Sequence, residues 1–308
     1  MSRLYVEAEQ ENQRLDMVLT TYYPDISRSH FQKLISENQI TVNQKPVKSS
    51  YRCKADDLVE ITFPETKLPE ILPQNIPIDV LYEDADVLVV NKPKDMVVHP
   101  ACGHYSNTLV NAVLYHCRDS LSGINGELRP GIVHRIDKDT TGSLVICKND
   151  SAHIFLAEQI KEHSVNRTYR GILVGKNIPT SGTADKPIGR DPKDRKKMAV
   201  NEKNGKSAVT HYKILSEYNG YAYAEFKLET GRTHQIRVHM ASLGYPLLGD
   251  PLYGPKKCPF KLQGQCLHAY LLGFVHPSAK EYMEFIAPIP GYFDQLLKKL
   301  NLNPQSNE

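Results

Sequence analysis

Four stretches of the chain combine ionisable side chains at spacings that suit chemistry. They are His134-Arg135-Ile136-Asp137-Lys138-Asp139-Thr140-Thr141-Gly142, Arg167-Thr168-Tyr169-Arg170-Gly171, Gly231-Arg232-Thr233-His234-Gln235-Ile236-Arg237-Val238-His239-Met240 and Gly249-Asp250-Pro251-Leu252-Tyr253-Gly254. In the first, Ile132-Val133 and Leu144-Val145-Ile146 predict a strand on each side of a polar loop, which would hold its carboxylates rigidly. Arg135, Lys138 and His134 beside Asp137 would keep it ionised. An ionised loop carboxylate can serve as base, nucleophile or metal ligand. Taken alone, the same residues equally suit a capped turn in which Asp and Gly serve the backbone. In the third stretch, two arginines and two histidines alternate with polar and apolar residues on a predicted strand. That composition is costly to pack, so an anion is expected to meet it.

These groups need elements to position them. The chain has 308 residues, 40% of them apolar, which suits one small and one large folded unit. The stretch from Gln13 to Phe63 reads as a helix, a turn at Pro24-Asp25 and a second helix capped by Ser27 with Phe31, Leu34 and Ile35 on one face; short strands around Asn43-Gln44-Lys45-Pro46 follow. Arg14, Arg28, Lys33, Lys45, Lys48, Arg52 and Lys54 outnumber the acidic residues there, a charge pattern fit for a phosphate backbone or for a plain solvated surface. Pro64, Pro69, Pro73 and Pro77 mark a stiff linker. Beyond it, Ile78 to Tyr82 and Val87 to Asn91 predict strands around an acidic turn. Asn107 to His116 and Ala152 to Glu162 predict helices, and Arg170 to Val174, Ala208 to Leu215, Tyr221 to Leu228 and Gln235 to His239 predict strands. Without regular alternation of strand and crossover helix, the expected fold class is α+β with a mixed or antiparallel sheet and flanking helices. The expected divisions are 1–65, a linker over 66–77, a large domain over 78–300 and a frayed tail over 301–308. Asp185 to Lys206, rich in lysine and arginine, reads as a mobile basic loop fit to clamp a phosphate backbone through residues such as Lys196 and Lys197.

Other classes are disfavoured. Six cysteines without a C-x-x-C pair suggest neither a zinc ribbon nor a redox dithiol. His99, Cys102 and His104 with His134 lack the carboxylate partner and helical spacing of a metallohydrolase, so no metal is expected. No apolar run approaches the ~20 residues a membrane helix needs, and residues 1–9 lack a signal-peptide core. The expectation is a cytoplasmic monomer, and the net charge of +3 decides little.

HRIDKDTTG, RTYRG, GRTHQIRVHM and GDPLYG, preceded by Asn91-Lys92-Pro93 and Val98-His99-Pro100, resemble the ordered motifs of RluA/RluD-type pseudouridine synthases. Residues 13–62 resemble an S4-type RNA-binding domain in their RLD-x-x-L run, Ser27-Arg28-Ser29, Ile40-x-Val42-Asn43 and Asp57-x-Val59. Together the resemblance spans about residues 13–290. It implies isomerisation of uridine in RNA without a cofactor, with Asp137 as the catalytic carboxylate and Tyr169 packing on the flipped base. It also implies that Arg237 pairs with Asp137, with Arg232 as a nearby rival, and that Arg135 enters the RNA stack vacated by the target. Arg232, His234, Arg28 and Lys33 would join in holding RNA. The S4-like unit favours large-subunit ribosomal RNA over transfer RNA by analogy, and a non-catalytic RNA-binding assembly factor is the rival from another class. Ile136, Thr141 and Arg167 stand where leucine, serine and lysine are usual, all changes that keep size or charge.

Overall fold

The structure is a computed structural model that describes residues 2–63, 71–100, 105–118, 120–124, 126, 129–194 and 197–302. Its contacts divide the chain into Met1–Pro69 and Glu70–Glu308.

In the first unit, β1 (Ser2–Tyr5), α1 (Leu15–Tyr22), α2 (Arg28–Ser36), β2 (Ile40–Val42), β3 (Lys45–Pro46) and β4 (Leu58–Ile61) form two helices on an antiparallel sheet of order β1-β4-β2-β3. Leu15, Val18 and Leu19 of α1 meet Phe31, Leu34 and Ile35 of α2 in one core, as the helical spacing predicts. Ser27 caps α2 by accepting from His30 N at 3.3 Å. Asn43 and Gln44 take the positive φ angles, 50° and 62°, that turn the β2–β3 hairpin.

The fully buried Asp16 is the polar centre of this unit. It accepts both Nε and Nη2 of Arg14 (3.1 and 3.0 Å), Nε of Arg28 (3.0 Å) and Nε2 of Gln32 (2.5 Å). Arg28 is therefore half spent on an internal ion pair, while Lys33 stays exposed with only a 3.6 Å contact to Glu37. Burial would push the Asp16 carboxyl up, but hydrogen bonds from Arg14, Gln32 and Arg28 hold it well below the usual carboxylate range. Its folded pKa is depressed, so its stabilising effect is present above the unfolded value of about 3.9 and is lost as pH falls towards the folded one. Asp16→Ala is expected to lower the stability of this unit by about 1–3 kcal/mol at pH 7. Thermal unfolding checks this, and the difference from wild type should shrink on acidification.

The second unit is built on β5 (Asp79–Glu83), β6 (Val87–Lys92), α3 (Leu109–Cys117), β7 (Thr141–Cys147), α4 (Asp150–Lys161) and β8 (Asn166–Val174). It continues with β9 (Ser181–Asp185), β10 (Ile188–Arg190), β11 (Met198–Val200), β12 (Val209–Tyr218), β13 (Tyr221–Leu228), α5 (Gln235–Ser242), β14 (Leu267–Val275), β15 (Tyr282–Ile286) and α6 (Gly291–Lys299). The main sheet has the order β5-β6-β7-β14-β8-β13-β12-β9, with β15 also paired to β14. Only β7 and β14 run parallel; the other pairs are antiparallel, so the sheet is mixed and the fold is α+β, as expected. The parallel seam brings Gly142 (φ +113°) against Ala269, whose backbone a Cβ at 142 would strike. Leu88, Val90, Leu144 and Ile146 fill one face with α3 residues, and Val87, Val89, Val145 and Cys147 fill the other with α4 residues, the continuous burial of central strands. Among the described residues no helix is long and apolar enough to cross a membrane.

Three local expectations change. Ile132-Val133 is not a strand: Ile132 makes a single bridge to Ile146. Gln235 to His239 is helix α5, not a strand. Residues 235–240 are all buried, and a helix buried on every side shows no amphipathic period, so its alternation mimics a strand. The basic stretch from Asp185 carries an antiparallel pair, Ile188↔Val200 to Arg190↔Met198, closed by reciprocal bonds between Ile188 and Lys206, instead of a loop. Ile188 and Ala208 pack on Val238 of α5. Lys197 lies at the turn end of this hairpin, its carbonyl accepting from Asp191 N; Lys196, like Cys102 and His104, falls outside the described residues.

Candidate active site

The loop from His134 to Thr140 leads into β7 and is held from several sides. His134 Nε2 accepts from Val145 N at 3.0 Å, Thr140 N donates to Asp137 O at 3.1 Å, and Gln265 Nε2 donates to Thr140 Oγ1 at 3.0 Å. From below comes Lys92, fully buried at the end of β6. Its ammonium has three N–H groups and donates to the carbonyls of Pro93 (2.7 Å), Met96 (2.8 Å) and Lys138 (3.0 Å). Burial pulls the Lys92 pKa down to about 7 against the pull of Asp139, Asp137 and Asp95. Lys92→Met is expected to lower stability by about 1–3 kcal/mol by leaving those carbonyls unpaired. Activity should stay within about tenfold, since the Asp137 carboxylate is aimed by other groups. The unfolded chain binds more protons than the folded one between pH 7 and 10.4, so wild type should gain on the variant as pH rises through that window. Denaturant unfolding at several pH values tests both.

The carboxylate of Asp137 receives Arg237 Nη1 at 2.9 Å. The other edge of the Arg237 guanidinium is held by Asp250, Nε to Oδ2 at 2.7 Å and Nη2 to Oδ1 at 2.9 Å. The side chain of Asp250 is wholly buried and that of Arg237 is 5% exposed, whereas that of Asp137 is 18% exposed. The buried pair therefore presents one cation to an accessible carboxylate. Burial works against the Arg237 charge, but the Asp250 hydrogen bonds and the Asp137 and Asp250 charges raise its pKa above the ordinary arginine value. Asp250 Oδ1 also accepts from Leu252 N and Tyr253 N, which folds the GDPLYG turn onto α5.

His234 occupies the N-cap position of α5 in the left-handed region (φ +56°) without a side-chain bond to the helix, an uncommon conformation for a non-glycine residue and one that clusters at functional sites. Its Nε2 lies 3.9 Å from Asp137 Oδ1 and its Nδ1 is 2.9 Å from the Tyr253 hydroxyl, which accepts from Met198 N at 2.9 Å. Burial lowers the His234 pKa, partly offset by Asp137. The hairpin of β10 and β11 is thus tied through Tyr253 and His234 to the neighbourhood of the carboxylate.

Tyr169 and Asp137 line one cleft of about 490 Å³. Tyr169 is 9% exposed, and burial, reinforced by Asp137, raises its hydroxyl pKa. Among the described residues the lining carries five lysine or arginine side chains and one carboxylate, Asp137. A second cleft of about 420 Å³ shares Arg135, Asp137, His234 and Arg237, so the carboxylate sits on a ridge between two hollows.

Asp137, Tyr169, Arg237, Arg135, Arg232 and His234 thus converge, although they come from three separate stretches. Arg135 is exposed, with Nη1 3.5 Å from His99 Nε2. Arg232 lies on the rim with Nε donating to Ser207 O at 2.9 Å, while Arg237 holds the carboxylate. The charges expected to keep Asp137 ionised are otherwise engaged: Lys138 pairs with Asp95 at 2.7 Å, and burial drives the His134 pKa down to about 3, leaving a neutral ring that anchors Val145. Lys92, Asp250 and Tyr253 had no assigned role, although Lys92 ends an apolar strand run and Asp250 and Tyr253 sit in a singled-out motif.

An α+β domain with a cationic cleft around one carboxylate, in a chain that also carries a small two-helix unit, suits an enzyme that acts on a polyanion. Residues 86–242 match the RNA pseudouridylate synthase family and residues 13–59 the S4 domain. The chain is 48% identical over 295 residues to an uncharacterized RNA pseudouridine synthase, YlyB, of Bacillus subtilis, covering 96% of each. It is 45% identical over 300 residues to ribosomal large subunit pseudouridine synthase D of Zymomonas mobilis, covering 94% of each. Human RNA pseudouridylate synthase domain containing 4 superposes with a TM-score of 0.56 at 27% identity, over 72% of this chain and 93% of that one. The chain belongs to the RNA pseudouridylate synthase family of the RluA type and is a pseudouridine synthase, an isomerase acting on RNA, with an S4 domain at its N-terminal end.

Proposed function

We propose that this enzyme converts uridine to pseudouridine in large-subunit ribosomal RNA, as a monomer in the cytoplasm, with Asp137 as its catalytic carboxylate. The observation that carries the chemical part is the Arg237 to Asp137 ion pair of 2.9 Å in a cleft shared with Tyr169. The reaction breaks the N1–C1′ bond, turns the base and joins C5 to C1′; C5 loses its proton and the freed N1 takes one up, so the product is an isomer of the substrate. Asp137, aimed by Arg237, either attacks C1′ or removes a proton from the sugar. Tyr169 offers a face on which uracil stacks, a contact worth ~1–3 kcal/mol, and a hydroxyl near the reacting edge. Arg135 fills the stack the flipped base vacates. Arg232, His234 and the hairpin that carries Lys197 hold the backbone, and Arg28 and Lys33 of the S4 domain hold a neighbouring segment.

The ribosomal target rests on relatives named ribosomal large subunit pseudouridine synthase D. Pseudouridine-specific chemical mapping of total RNA from cells with and without the gene tests it. The expected result is loss of one or more positions in large-subunit ribosomal RNA, restored by the wild-type gene and not by Asp137→Asn. Loss confined to transfer RNA overturns the ribosomal assignment, and restoration by Asp137→Asn overturns the catalytic one.

A further inference from the structure

Arg167 stands two residues before Tyr169 on β8, on the same face of the strand, and lines the same cleft. It is 7% exposed. A guanidinium has five N–H donors, and among the described residues Arg167 makes one hydrogen bond, Nη2 to Glu229 O at 3.1 Å. Its buried Nε has no partner, and no carboxylate pairs with it among the described residues. Desolvation lowers its pKa. A buried cation without a counter-ion is costly, unless the ligand of the cleft supplies the charge.

A second observation points the same way. Gly231 lines the cleft and has none of the positive φ that calls for glycine. A Cβ there would come within 2.6 Å of Arg167 Nη1, and apart from Arg167 nothing else lies within 4 Å of it. The missing side chain at 231 is what leaves room for the guanidinium. Beyond this pair the rim carries Lys161, His163 and Arg232.

We propose that Arg167 binds a phosphodiester next to the target uridine, in a subsite beyond Tyr169 that Gly231 keeps open and Arg232 borders. This rests on the reading of the cleft as the uridine site, and it adds a backbone contact there. Among the described residues Asp137 is the one carboxylate that lines the cleft, so the charged groups an anion meets at this end, Lys161, Arg167 and Arg232, are cations. A phosphodiester is present before and after the reaction, so the contact acts on binding more than on turnover.

The test uses the full chain and whichever RNA the wild type is found to modify. Arg167→Met is expected to raise KM and the dissociation constant about tenfold, with kcat within about threefold. It should flatten the slope of log K against log salt by about 0.7 to 0.9, the release of one counter-ion. Arg167→Lys should restore most of that slope. Gly231→Ala moves only the end of a flexible side chain, so its melting temperature should match wild type while KM rises severalfold. Loss of kcat at unchanged KM in Arg167→Met overturns the proposal in favour of contact with the uracil as it departs. An unchanged salt slope together with lowered thermal stability overturns it in favour of an anchor for Glu229. If wild type modifies no RNA, the reading of the cleft has failed; if wild type is active and Arg167→Met matches it, only the subsite has.

Discussion

Asp137→Asn lowers kcat for pseudouridine formation by about 10⁴-fold or more, the scale on which removal of a nucleophilic or basic group is felt. Folding should be spared. The substituted amide still accepts Arg237 Nη1, Arg237 keeps both of its bonds to Asp250, and the altered side chain is partly exposed, 18% in the wild type, so stability should change by less than about 1 kcal/mol. RNA affinity should persist for the same reason, because the cations of the cleft remain. Asp139→Asn is the control, since Asp139 lies in the same loop without an arginine partner at its carboxylate among the described residues, and its activity should stay within about tenfold. Single-turnover assays on the modified RNA, with binding measured alongside, separate the outcomes. Substantial turnover by Asp137→Asn, or a larger loss in Asp139→Asn, removes Asp137 from its role.

Much of this site could be read from residue types, and the part that could not has a common physical cause. The helices of the S4 unit, strands β8 and β12, and helix α4 follow patterns set by a buried face against a wet one, which periodicity reports directly, whereas β6 is buried on both faces and shows as a continuous apolar run. Helix α5 was read as a strand because Gln235, Arg237 and His239 are buried as completely as Ile236, Val238 and Met240. Their polar atoms are satisfied by Thr210, Asp250, Lys186 O and Val209 O, contacts 25 to 53 residues away in sequence for all but Asp250. Period analysis assumes that polar means exposed, and here long-range hydrogen bonds break that assumption. The same limit hid the partners of Asp137. Adjacent charges, Arg135, Lys138 and His134, suggested how it stays ionised, yet the group that faces it is one hundred residues away. Local sequence names the residues that can do chemistry; chain crossing decides which of them meet.

Arg237 and Asp250 carry the second large expectation. Removing one partner of a buried ion pair strands the other charge, at a cost of about 3–5 kcal/mol, or roughly 10 °C in melting temperature for a unit of this size. Arg237→Met should show the full effect, because Asp250 is wholly buried, and kcat should fall with it because Asp137 loses its orienting cation. Arg237→Lys keeps charge but cannot hold Asp250 with two parallel bonds while reaching Asp137 with a third, so it should recover part of the stability and little of the rate. Asp250→Asn leaves an oxygen that can still accept from Leu252 N and Tyr253 N, while the guanidinium keeps only Asp137 as its charged partner. The decisive protein is the double variant Arg237→Met with Asp250→Asn. With both buried charges gone, its loss of stability should fall short of the sum of the single losses by about 2 kcal/mol or more, yet its kcat should remain as low as that of Arg237→Met alone. Such a split separates the two roles of the arginine, a buried counter-ion for Asp250 and an aiming device for Asp137. Strict additivity in stability would show that Arg237 and Asp250 do not act as a buried pair, and recovery of turnover in the double variant would show that Asp137 is oriented by something other than Arg237.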